Sequence, residues 1–142
     1  MRVAITTDKA PQPPTAALSQ AVRAGQLLFT SGFGPHHPQT GQFVGSNATE
    51  QTRQTLANVQ AVLTEAGATM DDVIKVTVHL ANLERDFKDF DQVYREFFSA
   101  PYPSRTAVGS ELLGFLVEID VVVLNPDQVS NEDAAESGVR LE

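Results

Sequence analysis

The chain has 142 residues, and its 42% apolar and 20% charged content describes one folded globular domain long enough to bury a core unaided. It contains no cysteine, which excludes disulfides, thiolate nucleophiles, iron–sulfur clusters and Cys-ligated zinc. A net charge of −8 argues against a nucleic-acid partner, because phosphate binding depends on clustered Lys and Arg.

In chain order, Arg2–Thr7 alternates weakly and predicts an edge strand, with no signal-peptide core around it. Lys9–Ala17 holds Pro11, Pro13 and Pro14 and predicts an irregular connection. Gln26–Gly32 reads as a strand ended by Gly32-Phe33-Gly34-Pro35, and Gln42–Val44 as a short returning strand after the turn chemistry of Pro38-Gln39-Thr40-Gly41. Asn47 followed three residues later by Glu50 is an N-cap pattern. Ala48, Thr52, Thr55, Leu56, Val59, Val62, Leu63 and Ala66 then recur at helical spacing until Gly67 stops the helix.

Val73–Leu80 alternates, with Ile74, Val76, Val78 and Leu80 on one face and Lys75, Thr77 and His79 on the other. A second helix is expected over about Asp86–Phe98, its inner side formed by Phe87, Phe90, Tyr94, Phe97 and Phe98. Two strands close the domain. One includes Arg105–Val108, and the other, Phe115–Val123, sets Phe115, Val117, Ile119, Val121 and Val123 against Leu116, Glu118, Asp120 and Val122. The expected fold is α+β in the order β-β-β-α-β-α-β-β, a mixed sheet with two helices on one face. Two helices cover only one side of such a sheet, so burial of the other face calls for another chain and a homo-oligomer is expected.

The domain is expected to fill residues 1–125. Residues 126–142 carry five acids against Arg140, half of the net charge, and read as an acidic, solvated C-terminal extension. No apolar run approaches the roughly 20 residues of a membrane span, so no membrane partner is expected and the cytoplasm is the expected location.

Three features carry chemistry. Arg105 follows Pro101-Tyr102-Pro103-Ser104 into a strand of small residues, where its permanently charged fork must find an anion. That anion is either a ligand carboxylate held bidentately or a structural salt-bridge partner. Glu118 is an acid within Leu116-Val117-Glu118-Ile119, placed either for proton transfer or as the partner of Arg105 across the sheet. Ser31-Gly32 ends a strand where glycine lets a ligand approach backbone N–H groups. His36, His37 and His79 make no metal pattern and read as structural or surface residues, no serine has a triad arrangement, and no phosphate loop is present.

Together these landmarks resemble the Rid family, also called YjgF or L-PSP, over nearly all of Ala10–Leu124. The matching segments are Ala10-Pro11, Ser19-Gln20-Ala21-Val22, Thr30-Ser31-Gly32, Pro38-Gln39-Thr40-Gly41, Gln51–Val59, Ala66-Gly67 and Val73–Val78, then Phe87, Tyr94 and Phe97-Phe98, and finally Pro103-Ser104-Arg105-Thr106 and Val117-Glu118-Ile119. The resemblance implies a chorismate-mutase-like fold assembled as a homotrimer with ligand clefts between subunits. It implies a metal-free and cofactor-free deaminase that hydrolyses reactive enamines and imines, such as 2-aminoacrylate or related 2-imino acids, to 2-keto acids and ammonia. Arg105 would clamp the substrate carboxylate, Glu118 would place or activate water, and backbone N–H groups near Ser31 and Gly32 would help hold the ligand.

The chain departs from the family pattern in the pocket. Ala16-Ala17-Leu18 stands where Gly-Pro-Tyr is usual, Phe33 where Gln follows Ser-Gly, Asp91 at the usual Asn position, and Ala107 in place of a frequent Cys. Leu18, Phe33, Asp91 and Ala107 therefore join the candidate substrate-binding residues, with Asp91 supplying an anion able to pair with Arg105. The alternative reading is a non-catalytic or regulatory trimer that binds a small carboxylate such as a 2-keto acid. An L-PSP-type ribonuclease is disfavoured by the negative charge and the lack of a basic patch.

Overall fold

The computed structural model describes residues 1–125; the acidic extension expected over 126–142 lies outside the described residues. Six strands and two helices follow in the order β1 (Arg2–Ile5), β2 (Ala21–Ala24), β3 (Leu27–Thr30), α1 (Ala48–Glu65), β4 (Val73–Leu80), α2 (Leu83–Phe97), β5 (Ser104–Gly109) and β6 (Val117–Leu124). They build the mixed α+β sheet anticipated above, ordered β1-β2-β3-β6-β4-β5. Every neighbouring pair is antiparallel except β4 and β5, which run parallel because α2 carries the chain back between them.

The first helix forms as its caps dictate. Asn47 Oδ1 accepts the Glu50 N–H at 2.9 Å, and Gly67 takes the left-handed φ of +78° just past the last turn. The stripe from Ala48 to Ala66 is buried throughout. It meets the inward residues of β4 and β6, namely Val76, Val78, Leu80, Val117, Ile119, Val121 and Val123, and with Leu28, Phe90 and Val93 these make a single core. Each such side chain contributes roughly 1.5–3 kcal/mol by leaving water. That core fixes the sheet against both helices and leaves the opposite sheet face uncovered among the described residues.

Four local expectations need correction. Gln42–Val44 is not a strand; only an isolated bridge joins Phe43 to His36. The third strand of the opening meander is instead β2, whose AVRA run pairs with both β1 and β3. Ile74 does not share the buried face of β4, because a register shift between Val73 and Lys75 makes it a bulge residue, 44% exposed, and hands its place to Val73. The second helix begins earlier, at Leu83, where Asn82 Oδ1 caps the Arg85 N–H at 3.1 Å. As a result Val93 joins its buried side, while Phe87 stays 37% exposed.

Candidate functional site

A cavity of about 520 Å³ opens between the proline-bearing segment before β2, the loop after β3 and the start of β6. Leu18, Ser31, Gly32, Phe33 and Glu118 all line it, so five of the sequence-derived candidates converge on one space. Glu118 and Gly32 lie against each other. A β-carbon built on Gly32 would come within 2.8 Å of the Glu118 carboxyl carbon, so any larger residue would push that acid out of its present position. Phe33 is stitched to β6 by two 2.9 Å backbone hydrogen bonds with Ile119, which hold the strand end next to Glu118.

The backbone donors are more committed than the sequence indicates. The Ser31 N–H donates to the Gln20 carbonyl at 2.9 Å, its hydroxyl to the Ser19 carbonyl at 2.6 Å, and the Phe33 N–H to Ile119. Among the described residues the Gly32 N–H has no partner, which makes it the donor of this loop available to a ligand. Glu118 likewise has neither an ion-pair nor a hydrogen-bond partner among the described residues.

Sequence reasoning missed the side chains that hold these walls. Gln20, 2% exposed, accepts the Thr7 N–H at 2.7 Å and donates to the Thr7 and Pro11 carbonyls at 3.0 and 2.9 Å, pinning the proline segment. Gln51 on α1 bridges the Gly45 carbonyl and the Leu116 N–H at 3.1 and 2.8 Å. Asn58, further along α1, donates to the Gly34 and His36 carbonyls at 3.0 and 2.9 Å. The available signal is a polar residue recurring on an otherwise apolar helix stripe, since buried amides are there to satisfy loop backbone. Asn58→Ala leaves two inward carbonyls without that donor, and at about 1–3 kcal/mol for an unmet buried group it should lower the midpoint of chemical denaturation clearly. An unchanged midpoint would show that the loop does not depend on this amide.

His36 also belongs to the cavity wall, although its sequence context suggests only a structural or surface role. Its ring stands edge-on to Phe43 and Phe115, with centroids at 5.0 and 5.1 Å. Burial lowers the His36 pKa, against the opposing pull of the Gly34 carbonyl and of Glu118. Asp120 behaves in the opposite sense on the uncovered sheet face, where burial raises its pKa and His79 and Lys75 counteract it.

Arg105 lies elsewhere. Its Nη1 donates to Asp91 Oδ1 at 2.8 Å, and its guanidinium carbon sits 4.5 Å from the Tyr94 ring centroid and 5.5 Å from those of Phe87 and Phe90. The guanidinium is therefore not free of protein acids. It keeps a 24% exposed side chain, and its Nε and Nη2 have no partner among the described residues. Asp91 also meets Arg95 at 3.1 Å, and its carboxyl is held below the ordinary aspartate range, chiefly by the Arg105 hydrogen bond. Ala107, two residues on, faces the same side as Arg105 and packs against the core.

Register shows why Arg105 and Glu118 are separate. Arg105 is opposite Val76 on β4, whereas Glu118 is opposite His79. Three positions of offset place them on opposite sheet faces and roughly 10 Å apart along the strands. Glu118 is thus not the cross-sheet partner of Arg105, which pairs instead with Asp91 on α2. Within one chain the acid and the cation do not share a ligand, whereas β5 is an edge strand able to present Arg105 to a neighbouring molecule.

The comparisons with known proteins agree with this architecture. Residues 7–125 match a family model described as Endoribonuclease L-PSP. A RutC family protein of Pyrococcus abyssi is 40% identical over 120 residues, covering 83% of this chain and 93% of its own. A 2-iminobutanoate/2-iminopropanoate deaminase of Dermatophagoides farinae is 35% identical over 122 residues, 84% of this chain and 94% of that one. The crystal structure of E. coli TdcF with bound serine superposes with a TM-score of 0.80 at 34% identity, covering 87% of this chain and 98% of the other. With the family model spanning nearly the whole described domain and such relatives along its length, the chain belongs to the Rid (YjgF/L-PSP) family.

Proposed function

We propose that this protein is a deaminase that hydrolyses reactive 2-imino acids, or the enamines that give rise to them, to 2-keto acids and ammonia. The observation that carries the reading is Glu118, a half-buried carboxylate without a protein partner among the described residues, set against Gly32 at the wall of a largely apolar cavity. An imine carbon is already electrophilic, so hydrolysis needs a placed water, a proton carrier and a grip on the substrate. In this reading Glu118 takes a proton from water as the C–O bond forms. It passes that proton, and then the hydroxyl proton, to nitrogen as the C–N bond breaks, so that ammonia departs and the keto acid remains.

The cavity supplies no cation for the substrate carboxylate, since neither Lys nor Arg lines it among the described residues. We assign that role to Arg105 of a second copy, with the site assembled between protomers of a homotrimer. Support comes from the placement of Arg105 on an edge strand and from the uncovered sheet face, where Phe29, Val108 and Leu124 remain 43%, 38% and 39% exposed. The relative named as an iminobutanoate deaminase supports the reaction class, and the serine in the TdcF structure supports a family site that accepts an amino-acid-sized carboxylate.

The test is purified full-length protein supplied with 2-iminobutyrate generated in situ from 2-aminobutyrate by an amino-acid oxidase. Keto-acid release should exceed the buffer rate in proportion to protein, and the protein should sediment as a trimer. Release at the buffer rate for every imine offered would sink the deaminase reading. The Asp91–Arg105 ion pair favours a second reading, a regulatory trimer that binds a 2-keto acid without turnover. It requires saturable binding, lost in Arg105→Ala, with no hydrolysis of any imine. Against a ribonuclease stands the net charge of −8.

A further inference from the structure

The cavity beside Glu118 is large and poor in charge for a substrate of three or four carbons. Its volume of about 520 Å³ falls in the range of drug-sized ligands, and Glu118 is the one Asp, Glu, Lys or Arg that lines it among the described residues. Its apolar lining comes from Pro13, Leu18, Phe33, Leu113 and Phe115, interspersed with uncharged amides and hydroxyls such as those of Gln12 and Thr40. Leu113 and Leu18 both line the cavity and are 91% and 42% exposed overall, apolar surface that a bound side chain would partly cover. His36, wedged between Phe43 and Phe115, adds a further aromatic surface. A small imine, its carboxylate held by Arg105 of a second copy as assigned above, would leave most of this lining wet, and a second anion on its side chain would face the like charge of Glu118.

We propose that this cavity selects 2-imino acids with bulky apolar side chains, branched aliphatic or aromatic, over the three- and four-carbon imines. The inference rests on the deaminase reading for the word imine but concerns the shape and chemistry of the cavity. It is therefore tested on the products as well as on turnover.

The experiment is calorimetric titration of the full-length protein with pyruvate, 2-oxobutanoate, 4-methyl-2-oxopentanoate and phenylpyruvate, alongside hydrolysis rates for the four corresponding imines. A methylene seated in an apolar pocket is worth about 10-fold or more in discrimination. The dissociation constant for 4-methyl-2-oxopentanoate should therefore fall at least about 30-fold below that for pyruvate, with phenylpyruvate comparably tight. Leu18→Ser, at an exposed position, and Phe33→Ser should each shrink the bulky-to-small ratio. Equal affinities along the series, tighter binding of pyruvate, or no saturable binding of any of the four overturns the proposal. Size-graded binding without turnover of any imine keeps the cavity assignment and removes the deaminase reading. Turnover of all four imines at equal efficiency does the reverse.

Discussion

Glu118→Gln should lower kcat/KM for imine hydrolysis by about 10²–10⁴-fold, the usual range for loss of a positioned proton carrier. Glutamine keeps the shape and volume of the side chain, so the contact with Gly32 and the two backbone bonds between Phe33 and Ile119 should survive. Thermal stability is then expected to stay within a few degrees of wild type, and the affinity for a 2-keto acid within a few-fold. What Glu118 leaves undone within the chain points to its role. A carboxylate withdrawn from water inside a sheet ordinarily has a cation or a set of donors to justify its place, and this one has neither among the described residues. Arg105, the cation that charge alone would pair with it, is occupied with Asp91 on the other face. The remaining role is one realised when water and substrate arrive. Keto-acid release followed over time decides the matter: a Glu118→Gln variant that hydrolyses imines within twofold of wild type would remove this carboxylate from the chemistry.

The parts of this fold that are readable in the sequence are those governed by a single periodicity. The stripe on α1, with its asparagine cap and glycine stop, and the alternation of β6 follow from local spacing, and both appear as expected. The misreadings lie where pairing decides. β2 has only four residues, AVRA, too short for a period to declare itself, and exists because β1 and β3 flank it. Gln42–Val44 has strand-like composition but meets only His36 across a single bridge. Ile74 changes face because a bulge inserts one residue, an event that only the partner strand reveals. In the site, residue identity is informative and grouping is not. Ser31, Gly32 and Glu118 stand out separately in the sequence, Leu18 and Phe33 only as departures from the family pattern, and all five do share a wall. His36 belongs to no metal pattern, yet it lines the same wall through aromatic packing that leaves no spacing signal. The Asp91–Arg105 pair, by contrast, is foreseeable through the family resemblance, which sets an acid at the usual Asn position of α2, the element just before β5.

That pair makes the second large prediction. Arg105→Ala should reduce kcat/KM, and the affinity for 2-keto acids, by roughly 10²–10⁴-fold, since hydrogen bonds to a charged group contribute about 1.5–3 kcal/mol each and the guanidinium fork would offer two. Asp91→Asn should act in the opposite direction. It preserves the shape of the side chain and removes the anion that now takes Nη1, so a ligand carboxylate would no longer compete for that nitrogen. A gain of about 3- to 10-fold in ligand affinity is expected, modest because both partners remain in contact with solvent and the ion pair is partly screened. The same change carries a cost that gives an independent readout. The Asp91 carboxyl is held below its ordinary pKa in the folded protein, so the pair's stabilising contribution is present at neutral pH. It is lost only as pH falls through the aspartate range toward that lowered value. Wild type should accordingly lose stability over that acid window by more than Asp91→Asn does, while at neutral pH the variant is the less stable of the two. If instead Asp91→Asn weakens ligand binding as severely as Arg105→Ala, then Asp91 orients the guanidinium rather than competing for it, and the ion pair is part of the binding apparatus.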